Sequence, residues 1–355
     1  MAIVPGPPSY GLVTPSGHIP KYKDNGMYCY LISIISLGLL TYGMKNYTDM
    51  SPTIVIDRYD EILGACNAVA VITCILLYFK GRYFPSTGDN GILGYPLFDY
   101  YWGTELFPRI FGIDIKVLTN CRFGMTLWPL VVMLCWLKNY EMFGFRWAIA
   151  ASSVSQMMYL TKFFHWESGY MRTMDIMLDR AGYYICWGCL CYLPGLYTFP
   201  SRYAAIRPGV EMSMPMAILL ISLAALCIWL QQLAEGEKSI ARASKGEKGL
   251  FGRKPEIILA KYNLENGEER ESILVCSGFW GISRHFCYLP ELVMTFLWST
   301  ATGFSSILPY SYVIFLTILL VHRSHRDDRK CLHKYGTYWE KYMEKVPYRI
   351  VPYIY

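Results

Sequence analysis

Hydrophobic and polar positions along this 355-residue chain sort into long apolar runs separated by short polar ones. A helix needs about 17–25 mainly apolar residues to cross about 30 Å of hydrocarbon. Eight runs reach that length: 28–45, 62–80, 123–139, 143–163, 181–200, 212–234, 275–297 and 303–321. The weakest is 275–297, which Arg284, His285 and Glu291 interrupt. Charge inside a bilayer is expensive, so this run is expected to face a protein-lined cavity rather than lipid. The pattern predicts an all-α polytopic membrane protein with about eight transmembrane helices, and no repeat or heptad array competes with it.

Alternating spans put 1–27, 81–122, 164–180, 235–274 and 322–355 on one side, with 24 of the 33 Lys and Arg. The other side, 46–61, 140–142, 201–211 and 298–302, holds three. Positive charge gathers on the cytosolic face, which fixes the expected orientation. Composition agrees: 54% of residues are apolar and 17% charged, against about 25% charged in ordinary soluble domains. The 30 Tyr and 10 Trp suit rings placed at membrane–water interfaces. A net charge of +6 raises nucleic acid as a partner, but the cations lie beside apolar segments, so none is expected. The cysteines are scattered, with no pair of CxxC motifs. Cys186, Cys189 and Cys191 form the densest group without a neighbouring His, and packing is expected of them rather than metal. Residues 1–26 have neither a basic nor an apolar leader region, so no cleaved signal is expected.

Two polar stretches carry candidate chemistry. In the insert 235–274 most charges read as a solvated loop, but Lys238 and Arg242 are four apart, on one helix face just past the 212–234 run, where they would clamp a phosphate. After the last run, 322–355 reads as a basic helix, a Lys-Tyr-Gly turn and an amphipathic piece with Trp339 and Tyr342. Docking of this tail on anionic lipid is one reading. Asp327 and Asp328 dilute the positive face and weigh against it. Arg323 and Asp327, four apart, instead supply the cation and carboxylate that a nucleotide pocket needs.

The segments HRDDRKCLHKYGTYWEKYMEKVPYRIVPYIY, SGFWGISRHFCYLPE, GYPLFDYYWGTELFPRI and DIMLDRAGYYICWG resemble the sterol reductases, NADPH-dependent enzymes of the endoplasmic reticulum membrane. TPSGHIPKYKDNG, SPTIVIDRYDEILGACN, KGRYFPST and FGRKPEIILAKY are most similar to the branch that reduces the C7–C8 double bond of 5,7-diene sterols. The resemblance runs in order over almost the whole chain. Family members usually carry ten spans, and this chain starts where the third would start. Cys287 stands where the family often has Asn or His.

The resemblance implies a cytosolic cofactor pocket built by the last spans, the insert and the tail. It assigns NADPH contacts to Lys238, Arg242, Val275, Trp280, Cys287, Tyr288, Arg323, Asp327, Cys331, Leu332, His333, Lys334, Tyr335 and Tyr342. No GxGxxG turn is present, so a Rossmann fold is not indicated. Reducing a sterol C=C bond needs a hydride on one carbon and a proton on the other. Tyr197, in LPGLYTFP, is the candidate proton donor, acting with Asp327. Glu167, Asp175 and Asp179 are carboxylates near membrane depth, either paired, for example with Arg180, or shaping the sterol pocket. Glu105 and Arg109 read as structural. The implied organisation is a cytosolic segment 1–27, a six-span part 28–234 lining the sterol pocket, and a cofactor part 235–355. Expected partners are a sterol entering from the bilayer, membrane lipids and other enzymes of the sterol pathway. Reduction at C14 or C24, a non-catalytic sterol-binding membrane protein, and a related membrane methyltransferase are the alternatives, the last disfavoured by the motifs.

Overall fold

Helix α1 (Gly26–Tyr47) is apolar over its whole circumference and buries only Gly26 and Tyr30, while Leu31, Ile35, Leu39 and Leu40 stay exposed. A helix with so much unburied apolar surface has lipid as its solvent. In this computed structural model, which describes residues 3–14, 16–263 and 268–355, four helical segments among the described residues are long and apolar enough to cross a membrane. They are α1, α2 (Tyr59–Tyr83), the stretch Ile115–Phe143 that ends in α3 (Met125–Phe143), and α5 (Met214–Ala243). The protein is a mostly helical membrane protein, and its chain forms two compact units, Met1–Ser213 with Ala301–Pro309 and Met214–Thr300 with Tyr310–Tyr355.

The first unit is organised around α3 and α4 (Trp147–His165). Polar groups buried in them are paired, as burial requires. The Trp128 indole donates to Gln156 Oε1 at 3.1 Å, the Gln156 amide donates to Ser201 Oγ at 2.9 Å, and the Asn139 amide donates to the Ala204 carbonyl at 2.9 Å. Two π-helical turns, Leu118–Gly124 and Gly188–Tyr197, pack together. The second contains Pro194, which has no N–H to continue an α-helix. Its carbonyl is taken by the Tyr59 hydroxyl at 3.1 Å. Segment 301–309 returns to this unit late in the chain. Ala301 packs with Ala148, Ile149 and Ala204 and accepts the Val210 N–H at 3.1 Å.

The second unit contains α5, α6 (Tyr288–Ser299), α7 (Ser311–Tyr335) and α8 (Thr337–Lys345). Helix α7 ends at Gly336, whose φ of 51° with ψ of −126° is a backbone that glycine adopts and residues with a Cβ avoid. The expected turn between a basic helix and an amphipathic one is therefore present. Helix α8 buries Trp339 and Tyr342 against Ala260, Leu274 and Cys276 of a hairpin.

The all-α expectation needs correction. Among the described residues there are three two-stranded antiparallel sheets: β1 (Pro8–Tyr10) with β2 (Lys21–Lys23), β3 (Arg109–Ile110) with β4 (Ile113–Asp114), and β5 (Ile257–Asn263) with β6 (Glu269–Val275). The insert is consequently no loop, because α5 runs on to Ala243 and β5–β6 pairs from Ile257 with Val275 to Asn263 with Glu269. Run 275–297 is not one helix. It begins on the last residue of β6, passes a short turn of helix at Phe279–Ile282, and becomes regular only at Tyr288. Run 303–321 likewise starts as a helix only at Ser311 and then continues unbroken through the first part of the tail.

Candidate functional site

The charges that interrupt the 275–297 run are bound to the tail. The Arg284 guanidinium donates to both oxygens of Asp328, at 3.2 and 3.1 Å, and to the Val346 and Pro347 carbonyls at 2.6 and 3.0 Å. Arg349 Nε donates to the same carboxylate at 2.7 Å. Backbone N–H groups of Arg284 and His285 donate to the Tyr348 and Arg349 carbonyls. The turn before α6 is thus fixed to the chain after α8, outside the spanning helices. Two guanidinium partners offset the desolvation of this buried carboxylate.

His285 sits beside this pair, stacked on Tyr288 with ring centroids 5.0 Å apart. Its Nε2 is 3.9 Å from Asp327 Oδ2 and has no hydrogen-bond partner among the described residues. Burial pulls its pKa down to about 4, with Asp327 opposing and Lys238 and Arg284 reinforcing the shift. The ring is neutral at pH 7. Across from it, the Lys238 ammonium lies 4.0 Å above the Trp280 ring, a cation–π contact. The Trp280 indole donates to the Ala234 carbonyl at 2.7 Å, and the Tyr342 hydroxyl donates to the Trp280 carbonyl at 3.3 Å. Glu237 accepts the Phe279 N–H at 2.9 Å, and Gly278, at φ 60°, would place any Cβ on that carboxylate.

In the second unit Tyr288 and Asp327 thus flank His285, and Lys238, Trp280 and Tyr342 form a connected set of their own. Val275 ends β6, buried with Trp280, and Cys287 packs on the same cluster. Arg242 lies on the Lys238 face of α5 and is exposed. On α7, Arg323 stands one turn before Asp327, and Cys331 one turn after. Burial raises the Cys331 thiol to about 12 and pushes the Tyr342 hydroxyl above its usual range, so both are neutral groups here. Lys334 lies over the Tyr262 ring at 4.0 Å, and the Tyr335 hydroxyl meets Ser272 at 3.3 Å. Leu332 and His333 are exposed. At about 100° per residue His333 falls with His322 and Arg326, not with Arg323 and Asp327.

Tyr197 belongs to the first unit and Asp327 to the second. Tyr197 closes the second π turn, its ring edge-on to Trp128 at 5.4 Å. Glu167 is bound by Arg122 through both oxygens, and Arg122 also donates to Asn25 at 2.8 Å. The partner of Glu167 is therefore Arg122. Arg180 donates to the Gly91 carbonyl at 2.7 Å. Asp179 is fully buried, and its backbone carbonyl accepts from Lys116 at 2.9 Å. Asp175 opens a short helix at Met174–Met177. Glu105 pairs with Lys80 at 2.6 Å and Arg109 donates to the Lys21 carbonyl at 2.5 Å, both structural contacts.

The model of the ergosterol biosynthesis ERG4/ERG24 family matches residues 2–355. The chain belongs to this family. A 7-dehydrocholesterol reductase of Arabidopsis thaliana is 43% identical over 99% of this chain and 81% of its own length. One of Danio rerio is 33% identical over 97% and 72%. A Delta(14)-sterol reductase of Methylotuvimicrobium alcaliphilum is 33% identical over 99% and 79%. This ERG4/ERG24 protein is accordingly a membrane oxidoreductase of the sterol reductase family in sterol biosynthesis. Sequence reasoning named the cluster's cations and rings but passed over Arg284, Asp328, Arg349 and Glu237 as site builders. The signal for the first was available: a charged Arg-His pair inside an apolar run requires a partner.

Proposed function

We propose that this ERG4/ERG24 protein reduces the C7–C8 double bond of 5,7-diene sterols with NADPH, in the endoplasmic reticulum membrane, from a chain that crosses the bilayer about eight times. The observation that carries the choice of bond is the 43% identity to a relative named 7-dehydrocholesterol reductase, against 33% for the one named Delta(14)-sterol reductase. The donor set of the second unit supports the cofactor. Lys238 and Arg242 share one face of α5 and suit phosphates. Asp327 suits a ribose or amide donor, and the unpartnered, buried Nε2 of His285 is a further polar group for a ligand to meet.

NADPH, when bound, supplies the hydride. The protein's own part is to hold the phosphates with cations, to keep water from the reacting bond, and to deliver a proton to the second carbon. Tyr197, acting with Asp327, is assigned that proton, and Glu167, Asp175 and Asp179 are placed around the sterol. The sterol enters from the bilayer, so the organisation 1–27, 28–234 and 235–355 is retained as sterol-facing and cofactor-facing parts, with other sterol-pathway enzymes as neighbours in the membrane. The test is conversion by membranes containing this chain, given NADPH and either a 5,7-diene or a Δ14 sterol. The expected outcome is loss of the C7–C8 double bond. Turnover of the Δ14 sterol alone moves the assignment to C14, the reading that the Methylotuvimicrobium relative favours. Failure to bind NADPH leaves a non-catalytic sterol-binding protein.

A further inference from the structure

A second face of α7 is turned away from Arg323 and Asp327. His322, His325, Arg326 and Arg329 line an open cleft of about 360 Å³. Their spacing sets them along one stripe at about 100° per residue. The two carboxylates that dilute the charge of this segment in sequence are turned elsewhere. Asp328 is held by Arg284 and Arg349, and Asp327 faces His285. His325 is positioned from outside the helix: its Nε2 meets the Tyr355 hydroxyl at 2.6 Å and lies 3.4 Å from Arg349 Nη1, which ties the ring to the end of the chain. The stripe starts directly after the apolar run VIFLTILLV that opens α7. On the proposed passage of 303–321 through the bilayer, on which this inference rests, the stripe lies at the depth of lipid head groups, where each Lys or Arg gains about 1 kcal/mol from anionic lipid.

We infer that this cleft binds the phosphate of an anionic phospholipid at the membrane surface, on the face of α7 away from Arg323 and Asp327. Two Arg forks and the His322 imidazole match a phosphate's oxygens, with His325 held at the edge of the cleft by Tyr355. A soluble phosphate ester shares that chemistry, but the junction with the apolar run favours a lipid.

The experiment uses the full chain in nanodiscs of phosphatidylcholine, with or without phosphatidic acid, and in phosphatidylcholine nanodiscs bathed in glycerol phosphate. Native mass spectrometry counts retained phosphatidic acid, and thermal unfolding reports stabilisation. The expected result is retention and a raised midpoint with phosphatidic acid only. Arg326→Gln with Arg329→Gln should weaken retention about 30-fold, whereas Lys248→Gln with Lys341→Gln, which removes the same charge elsewhere, should not. His322→Ala provides an independent loss of retention should the double Arg variant fold poorly. Equal retention by the Arg and Lys double variants overturns the site. Equal stabilisation by glycerol phosphate overturns the lipid as its occupant.

Discussion

At the scale of single residues, Lys238 and Arg242 make the sharpest prediction. Replacing both by Ala should weaken NADPH more than NADH, by about tenfold or more for lost charge-assisted contacts, in a direct binding titration of each cofactor. Equal weakening of the two would remove them as a phosphate clamp. Tyr197→Phe should lose sterol conversion while keeping NADPH affinity, and Asp327→Asn should lose both. Undiminished conversion by the Phe variant would shift the proton to water or another carboxylate. His285 predicts a pH dependence with a definite sign. Its folded pKa of about 4 lies below the ordinary value of about 6.5, so the unfolded chain takes up the proton first. Stability is then complete above about pH 6.5 and declines as pH falls towards about 4, by up to about 3 kcal/mol. Thermal midpoints of the detergent-solubilised protein between these limits should slope accordingly, and His285→Gln should flatten the slope. The sequence exposed His285 and Arg284 only as charges in a hydrophobic run, which says that a partner exists but not which one. Asp328 and Arg349 lie too far along the chain for any local pattern to nominate them.

Among elements, the insert shows where local reading failed. Most of 235–274 looked like solvated loop because its charges are dense, yet IILAKYN and ERESILV flank an Asn-Gly pair, the strongest short hairpin signal. The strands are half exposed, with Lys261 paired to Glu269 at 3.2 Å, so their charge is a property of the outer face. The apolar run 275–297 misled in the opposite sense: hydropathy averages over length and cannot register that residues 276–287 form turns tied to the tail. Gly278 is the fulcrum there. Gly278→Ala should unfold the second unit or lower its thermal midpoint far more than Gly336→Ala, which meets similar backbone strain but has open space for its Cβ. Comparable midpoints for the two variants would mean that the contact with Glu237 does not constrain the turn.

For the whole molecule, apolar periodicity was enough to read the helical membrane class and the position of the strongest spans, because burial in lipid demands long uninterrupted runs. Run 181–200 departs from the simple pattern because a π turn with Pro194 occupies Gly188–Tyr197, whereas 143–163 falls in a regular helix that buries Ser152, Ser153, Ser155 and Gln156. The expected orientation remains directly testable. Tags after Lys248 and after Tyr355 should show the same protease accessibility in sealed microsomes, both facing the cytosol. One protected and one exposed tag would contradict a paired passage between them.

The return of Ala301–Pro309 to the first unit imposes an order on biogenesis. A ribosome finishes residues 214–300 before it releases the segment that supplies Ala301 to the core of Ala148, Ile149 and Ala204 and accepts the Val210 N–H. The older part of the chain must therefore wait in the membrane with its packing incomplete while the younger part is still being translated. Truncation shortly before residue 301 therefore leaves the core of Ala148, Ile149 and Ala204 short of a packing partner and the Val210 N–H without this acceptor.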